Sequence, residues 1–227
     1  MGTVVVFAGG PSPSEEDLDL LRRRMDSIDR DVIDLVVAAD SGLELAASLG
    51  WTPVPGRDLV VGDMDSVDVE ALARAESSGV KVERFPPDKD ATDLELAGDE
   101  AVLRAGPSGR IVLVGTVAGR FDHVLSMVSV LASAGPVAER LAWLGGDRIH
   151  VVDAVGAVPT GTGSTFSVIP VGGDAAGVTV TGARWELRGE TIPSGSSRGM
   201  SNEATREVVD VVCLAGTVLV VVPGESS

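Results

Sequence analysis

Two aspartates two residues apart, Asp63 and Asp65 in Gly62-Asp63-Met64-Asp65-Ser66, offer hard oxygen donors with no histidine or cysteine beside them. In extended backbone, residues two apart face the same way. Carboxylates about 6 Å apart repel by roughly 3 kcal/mol at an effective dielectric near 20. Such a pair calls for a cation or for protons, and oxygen-only ligands select Mg²⁺. Taken alone, the pair reads more readily as a polar turn in which Asp65 or Ser66 caps a helix over 67–78. Asp40, in Ala38-Ala39-Asp40-Ser41-Gly42, and Asp93, in Asp88-Lys89-Asp90-Ala91-Thr92-Asp93, tip the reading towards a metal.

The residues around Asp93 carry several roles. Thr92 and Glu95 have capping-box spacing, with Thr92 as N-cap, and Asp93 in the first turn suits the helix dipole. Lys89 is one of two lysines in the chain. It either contacts a phosphate or neutralises its acidic neighbours. Arg120, in Gly119-Arg120-Phe121-Asp122-His123, presents a planar fork suited to phosphate. Asp122 would orient that fork or touch a metal-bound water, and His123 is expected to cap or pack near a helix start. Gly9-Gly10 lets backbone approach a ligand closely. Neither a P-loop nor a G-x-G-x-x-G fingerprint occurs. Further on, Trp185 could stack on a flat ring or fill a core. Ser201 and Asn202 could bind a heterocycle or merely hold a loop.

The elements that must position these residues follow from periodicity. β-Branched runs at 3–8, 32–39, 59–61, 80–85 and 111–114 alternate with helical stretches at 14–27, 42–49, 67–78, 93–104 and 121–134. That pattern predicts an α/β domain with a mainly parallel sheet covered by helices. The Asp40, Asp63, Asp88–Asp93 and Arg120 clusters each follow a strand. In such a sheet ligands bind outside the carboxyl ends of the strands, so all four clusters should meet at one edge. Beyond Gly135-Pro136 and Gly145-Gly146 the texture changes. Runs rich in Val and Thr at 149–153, 164–171, 177–183, 207–214 and 217–222 predict a smaller antiparallel β-sandwich domain. The expected domains are 1–146 and 147–227.

Composition sets the outer bounds. The chain has 227 residues, 44% hydrophobic and 23% charged, enough for a packed core. Its formal charge of −16 disfavours nucleic acid and anionic membranes as partners. One cysteine and two histidines exclude a disulfide framework and a Cys- or His-rich metal site. No apolar run has transmembrane length. The first residues lack the marks of a secretion signal and read as the first strand of a cytoplasmic protein.

In this order, the Asp40-Ser41-Gly42, Asp63-Met64-Asp65-Ser66, Lys89-Asp90-Ala91-Thr92-Asp93 and Gly119-Arg120-Phe121-Asp122-His123 segments resemble the thiamine pyrophosphokinase family. Trp185 and Ser201-Asn202-Glu203 resemble that family's C-terminal signature. Departures occur at Ser41, Leu43-Glu44, Ala118 and Met127. The resemblance implies transfer of pyrophosphate from ATP to the thiamine hydroxyl, releasing AMP, by a homodimer. It implies that Asp63, Asp65 and Asp93 hold Mg²⁺ with Asp40 nearby, and that Asp90, Thr92, Arg120 and Asp122 line the nucleotide and phosphate site. Lys89 would also face ATP, and Asp90 or Asp122 would accept the hydroxyl proton. Trp185, Ser201 and Asn202 would shape the thiamine pocket, lent to the neighbouring subunit. Two alternatives stand beside it: a pyrophosphokinase for another heterocyclic alcohol such as a pterin, and a non-catalytic binding module for a nucleotide or thiamine diphosphate.

Overall fold

The computed structural model describes residues 2–224, in two compact units, Met1–Gly146 and Asp147–Ser227. The first unit carries strands β1 (Thr3–Phe7), β2 (Ile33–Ala39), β3 (Leu59–Gly62), β4 (Lys81–Arg84), β5 (Arg110–Gly115) and β6 (Glu139–Leu144). Their order is β4-β3-β2-β1-β5-β6, and every described pairing among them is parallel. Central β1 is buried at every residue, as an apolar run covered on both faces must be. Edge strand β4 exposes Lys81 and Arg84, charges that block further pairing.

Helices α1 (Glu15–Asp26), α2 (Gly42–Ser48), α3 (Val69–Ser77), α4 (Asp93–Ala105) and α5 (Phe121–Ser133) connect and cover the strands. Helix α1 turns Leu18, Leu21 and Met25 inward and is capped by Ser14, whose hydroxyl accepts the Asp17 N–H. One face of the sheet buries Phe7, Leu21, Met25 and Trp51 in a common cluster. The chain winds outward from β1 to β4, then crosses back to β5 on the other side of β1. The β1/β5 crevice is therefore the topological switch point, the place where such sheets take ligands.

Strand β6 was not expected. It pairs parallel to β5, with Glu139 opposite Arg110. The Gly135-Pro136 break and two charged residues disguise it. Buried Arg140 donates to the Ala132 and Ala134 carbonyls at the end of α5.

The second unit comprises β7 (Asp147–Val152), β8 (Val155–Pro159), β9 (Thr165–Thr181), β10 (Leu187–Ile192), β11 (Asn202–Glu203), β12 (Val208–Val212) and β13 (Ala215–Val222). Every described pairing is antiparallel, in the order β7-β13-β9-β12-β8, with β10 and β11 also on β9. Over the whole chain the sheet structure is thus mixed. The two expected strands at 164–171 and 177–183 are one 17-residue strand. Its first half pairs with β13, its second half with β10 and β12. Gly172, Gly173 and Gly177 all have positive φ and bend the strand without ending it. Phe166, Val168, Val178, Val180, Val209, Val211, Val218 and Val220 from both halves share one buried cluster.

Candidate active site

The acids after β2 and β3 converge. Asp40 follows β2 in a left-handed conformation, φ 49°, and its N–H donates to the Val61 carbonyl on β3. Its side chain is only 8% exposed. Ser66 Oγ donates a short hydrogen bond to Oδ2, while Oδ1 is buried with no hydrogen-bond partner. Burial raises the Asp40 pKa, against the Ser66 hydrogen bond and the nearby Ser41 N–H dipole, and the charges of Asp93 and Asp65 push it up further. Gly62, at φ 154°, allows this crowding. A Cβ there would stand 3.2 Å from the Asp93 carboxyl and 3.3 Å from Asp40 Cβ.

Asp63, Asp65 and Asp40 each present a carboxylate oxygen within 4.8 Å of the others. Strand alternation is not the reason. β3 ends at Gly62, and Met64 is left-handed at φ 64°. A tight turn instead lets Asp63 Oδ1 accept the Asp65 N–H at 3.2 Å. That bond, followed by the charge of Lys89, lowers the Asp63 pKa. Neither Asp65 nor Ser66 caps the next helix. Asp68 does, accepting the Ala71 N–H at 2.8 Å, so the Asp65 and Ser66 side chains are available to the site.

At the start of α4, Thr92 is the N-cap and its Oγ1 accepts the Glu95 N–H at 3.2 Å. Lys89 reaches back into the acids. Its Nζ lies 2.9 Å from Asp93 Oδ1 and 3.4 Å from Asp63 Oδ2, with the side chain 13% exposed. Of the two roles open to Lys89, this geometry displays neutralisation. Asp88 and Asp90 are exposed and stand outside the three-carboxylate group.

Arg120 precedes α5 and forms a two-point ion pair with Asp122, at 3.1 and 2.5 Å, on the exposed rim. Asp122 is lowered chiefly by the Arg120 hydrogen bond. His123 neither caps nor enters the core. It is exposed and lines a pocket of about 400 Å³ with Gly9, Gly10, Asp40, Thr92 and Asp93. Ser41, Ser66, Leu94, Ser126 and Met127 complete much of that wall; Leu94 and Ser126 had no separate signal in the sequence. The pocket opens where β1 and β2 end, walled by the start of α4 and the first turns of α5. Ser41 Oγ accepts the Gly10 N–H at 3.2 Å, which ties the β1 turn to α2.

In the second unit, Trp185 is 51% exposed beside a pocket of about 480 Å³ formed with Arg198, Gly199, Met200, Ser201 and Asn202. The Arg184 guanidinium stacks 4.9 Å from the Trp185 ring centre. Buried Asn202 accepts the Trp185 and Glu203 N–H groups at 3.1 and 2.9 Å and donates to the Trp185 carbonyl at 2.8 Å. Its amide holds the Trp185 loop. Ser201 is left-handed at φ 54°, with its N–H donated to Ser167 Oγ. The non-glycine residues described at positive φ are Asp40, Met64 and Ser201, each within a site cluster. Strain of this kind gathers where geometry is dictated by something other than folding.

Residues 28–141 match the sequence model of the thiamin pyrophosphokinase catalytic domain, and residues 148–218 match that of the thiamin pyrophosphokinase vitamin B1 binding domain. The chain belongs to the thiamin pyrophosphokinase family. Among its relatives, thiamine pyrophosphokinase 1 of Oryza sativa is 26% identical over 172 residues, 68% of this chain and 61% of the rice protein's length. Thiamine pyrophosphokinase of Bacillus subtilis is 27% identical over 214 residues, 89% of this chain and 90% of that one. The crystal structure of the Bacillus subtilis enzyme superposes with a TM-score of 0.78 at 23% identity, covering 100% of both chains. The catalytic-domain match contains Asp40, Asp63, Asp65, Lys89, Asp93 and Arg120, and the vitamin B1 match contains Trp185, Ser201 and Asn202.

Proposed function

We propose that this protein transfers pyrophosphate from ATP to the hydroxyl of thiamine, giving thiamine diphosphate and AMP, in a reaction that depends on Mg²⁺. The grouping of Asp63 and Asp65 with Asp40, which together with Asp93 lines the pocket at the strand ends, supports this most directly, in a chain matching both family domains. The donor set fits the ion. All three ligands are carboxylate oxygens, and the buried, unpartnered Asp40 Oδ1 is an acceptor in want of a cation. The proposed holders are Asp40, Asp63 and Asp65, with Asp93 beside them. Bound there, Mg²⁺ would neutralise charge on the phosphate oxygens.

The remaining work falls to the chain's own groups. The Gly9-Gly10 turn brings backbone to the pocket wall, where a nucleotide would lie. Arg120 is the proposed phosphate cation, and its pairing with Asp122 pre-orients the fork. That pairing also makes Asp122 a poor proton acceptor, so its proposed role is to hold Arg120. The hydroxyl attacks the β-phosphorus in line, and binding supplies position more than covalent chemistry. The Trp185 pocket is the proposed thiamine site, its aromatic face suited to a cationic ring. We further propose a homodimer acting in the cytoplasm. Among the described residues no helix is long and apolar enough to cross a membrane.

Incubation with ATP, thiamine and Mg²⁺ should release AMP in step with thiamine diphosphate. Release of ADP with thiamine monophosphate would refute the reaction. Consumption of a pterin alcohol while thiamine is ignored would refute the acceptor, and binding without turnover would refute catalysis. Sedimentation as a monomer would refute the dimer.

A further inference from the structure

We infer that Lys89 is the built-in counter-ion of the acidic cluster, an ammonium that occupies the metal's side of Asp63 and Asp93 and is displaced when a divalent cation binds. The inference rests on the metal reading of Asp40, Asp63 and Asp65.

Four carboxylates crowd the ends of β2, β3 and the start of α4: Asp40, Asp63, Asp65 and Asp93. Their formal charge is −4, and Lys89 is the cation seated among them. Lysine rarely gives up its hydration without a partner. Here the side chain is 13% exposed, and its Nζ bridges Asp93 Oδ1 at 2.9 Å and Asp63 Oδ2 at 3.4 Å. Asp63 belongs to both arrangements, as a member of the three-carboxylate group and as a partner of the ammonium. Mg²⁺ draws its oxygens to about 2.0–2.1 Å. An ammonium held by the same carboxylate repels the incoming ion at a few ångströms. The two cations therefore compete for Asp63, while Asp40 Oδ1 stands buried without a hydrogen-bond partner. The tethered charge keeps four acids together without metal, and once displaced it is free to meet a phosphate. A single residue would then have opposite effects on the two components of a metal–nucleotide complex.

Mn²⁺ alone is the probe, followed by the electron paramagnetic resonance of the free ion with no nucleotide present. Lys89→Gln should bind Mn²⁺ about tenfold more tightly than the parent, the order expected for removing a like charge a few ångströms away. Lys89→Arg keeps the charge and should stay within about threefold of the parent. In steady-state assays Lys89→Gln should raise the ATP KM. A residue that merely supported the loop would weaken both when replaced. Unchanged or weaker Mn²⁺ binding in Lys89→Gln, with the parent binding normally, overturns this inference and leaves the metal reading intact. Failure of the parent to bind Mn²⁺ at all overturns both.

A second measurement needs no variant. The chain has two lysines, so lysine labelled with ¹³C at Cε gives two ammonium-side signals. Mg²⁺ titration should shift the Lys89 signal and leave Lys81, paired with Glu83 on edge strand β4, in place. A Lys89 signal that does not move while the metal binds overturns the displacement.

Discussion

Replacing Asp40 by asparagine should stabilise the metal-free protein and abolish its response to Mg²⁺. The carboxylate oxygens of Asp40, Asp63 and Asp65 lie within 4.8 Å of one another. At an effective dielectric near 20, each such pair repels by about 3.5 kcal/mol. Water around Asp63 and Asp65 and the charge of Lys89 cut the part attributable to Asp40 to about 2 kcal/mol. Against this, the Ser66 hydrogen bond to Oδ2 loses its charge assistance, a cost of about 1 kcal/mol. The net is about +1 kcal/mol, or ~3 °C in melting temperature for a chain of this size. Thermal denaturation in EDTA and again in Mg²⁺ measures both halves of the claim. Linkage fixes the pH dependence. Because the folded Asp40 pKa is raised, the folded state holds this proton to higher pH than the unfolded chain does. The parent's relative stability therefore falls as pH rises through that folded value. Asp40→Asn should match the parent in acid and pull ahead towards neutral pH. A variant less stable than the parent at neutral pH in EDTA, or one still stabilised by Mg²⁺, would refute the reasoning.

Four further outcomes are expected. Asn202→Ala leaves the Trp185 N–H and carbonyl and the Glu203 N–H without their partner; urea denaturation should show a loss of about 2–4 kcal/mol, and the thiamine KM should rise while the ATP KM holds. Gly42→Ala puts a Cβ 2.1 Å from the Phe7 carbonyl oxygen, so the melting temperature should fall by ~8 °C or more, and a drop under ~2 °C would contradict the packing described. Arg120→Ala should lower kcat/KM for AMP release by about 10²-fold or more, and Asp122→Asn by only about tenfold, since Asp122 acts through the arginine. Cys213 is buried and its thiol pKa is raised chiefly by that burial, so maleimide labelling at pH 8 should track global unfolding, and rapid labelling of folded protein would count against it.

Much of the first unit was legible because parallel strands and amphipathic helices write themselves into local periodicity. The run Thr3–Phe7 and the helix carrying Leu18, Leu21 and Met25 are of this kind. The convergence of the acids was also legible, since each cluster followed a strand. Its geometry was not. Asp63 and Asp65 come together through left-handed Met64 and a turn hydrogen bond, and backbone at positive φ leaves no trace in a hydrophobic pattern. Asp40 joins Asp63 and Asp65 in the closest group, where Asp93 was expected, and Asp93 is engaged by Lys89 four residues before it. His123 was expected to cap or pack, yet the start of α5 leaves it exposed on the pocket wall. In the second unit glycine misled twice. The stretch 172–176, with Gly172 and Gly173, was expected to separate two strands but only bends β9, and Gly189, at positive φ inside β10, obscured a strand altogether.

That continuous β9 also governs how the second unit can come apart. A strand shared by two ladders cannot leave one without tugging on the other. Peeling β13 away strips Ser167 to Val171, and the strain runs through the same backbone to Thr179 and Val180. Amide protons at both ends of β9 should therefore exchange with deuterium at one common rate, as a single unzipping event rather than two.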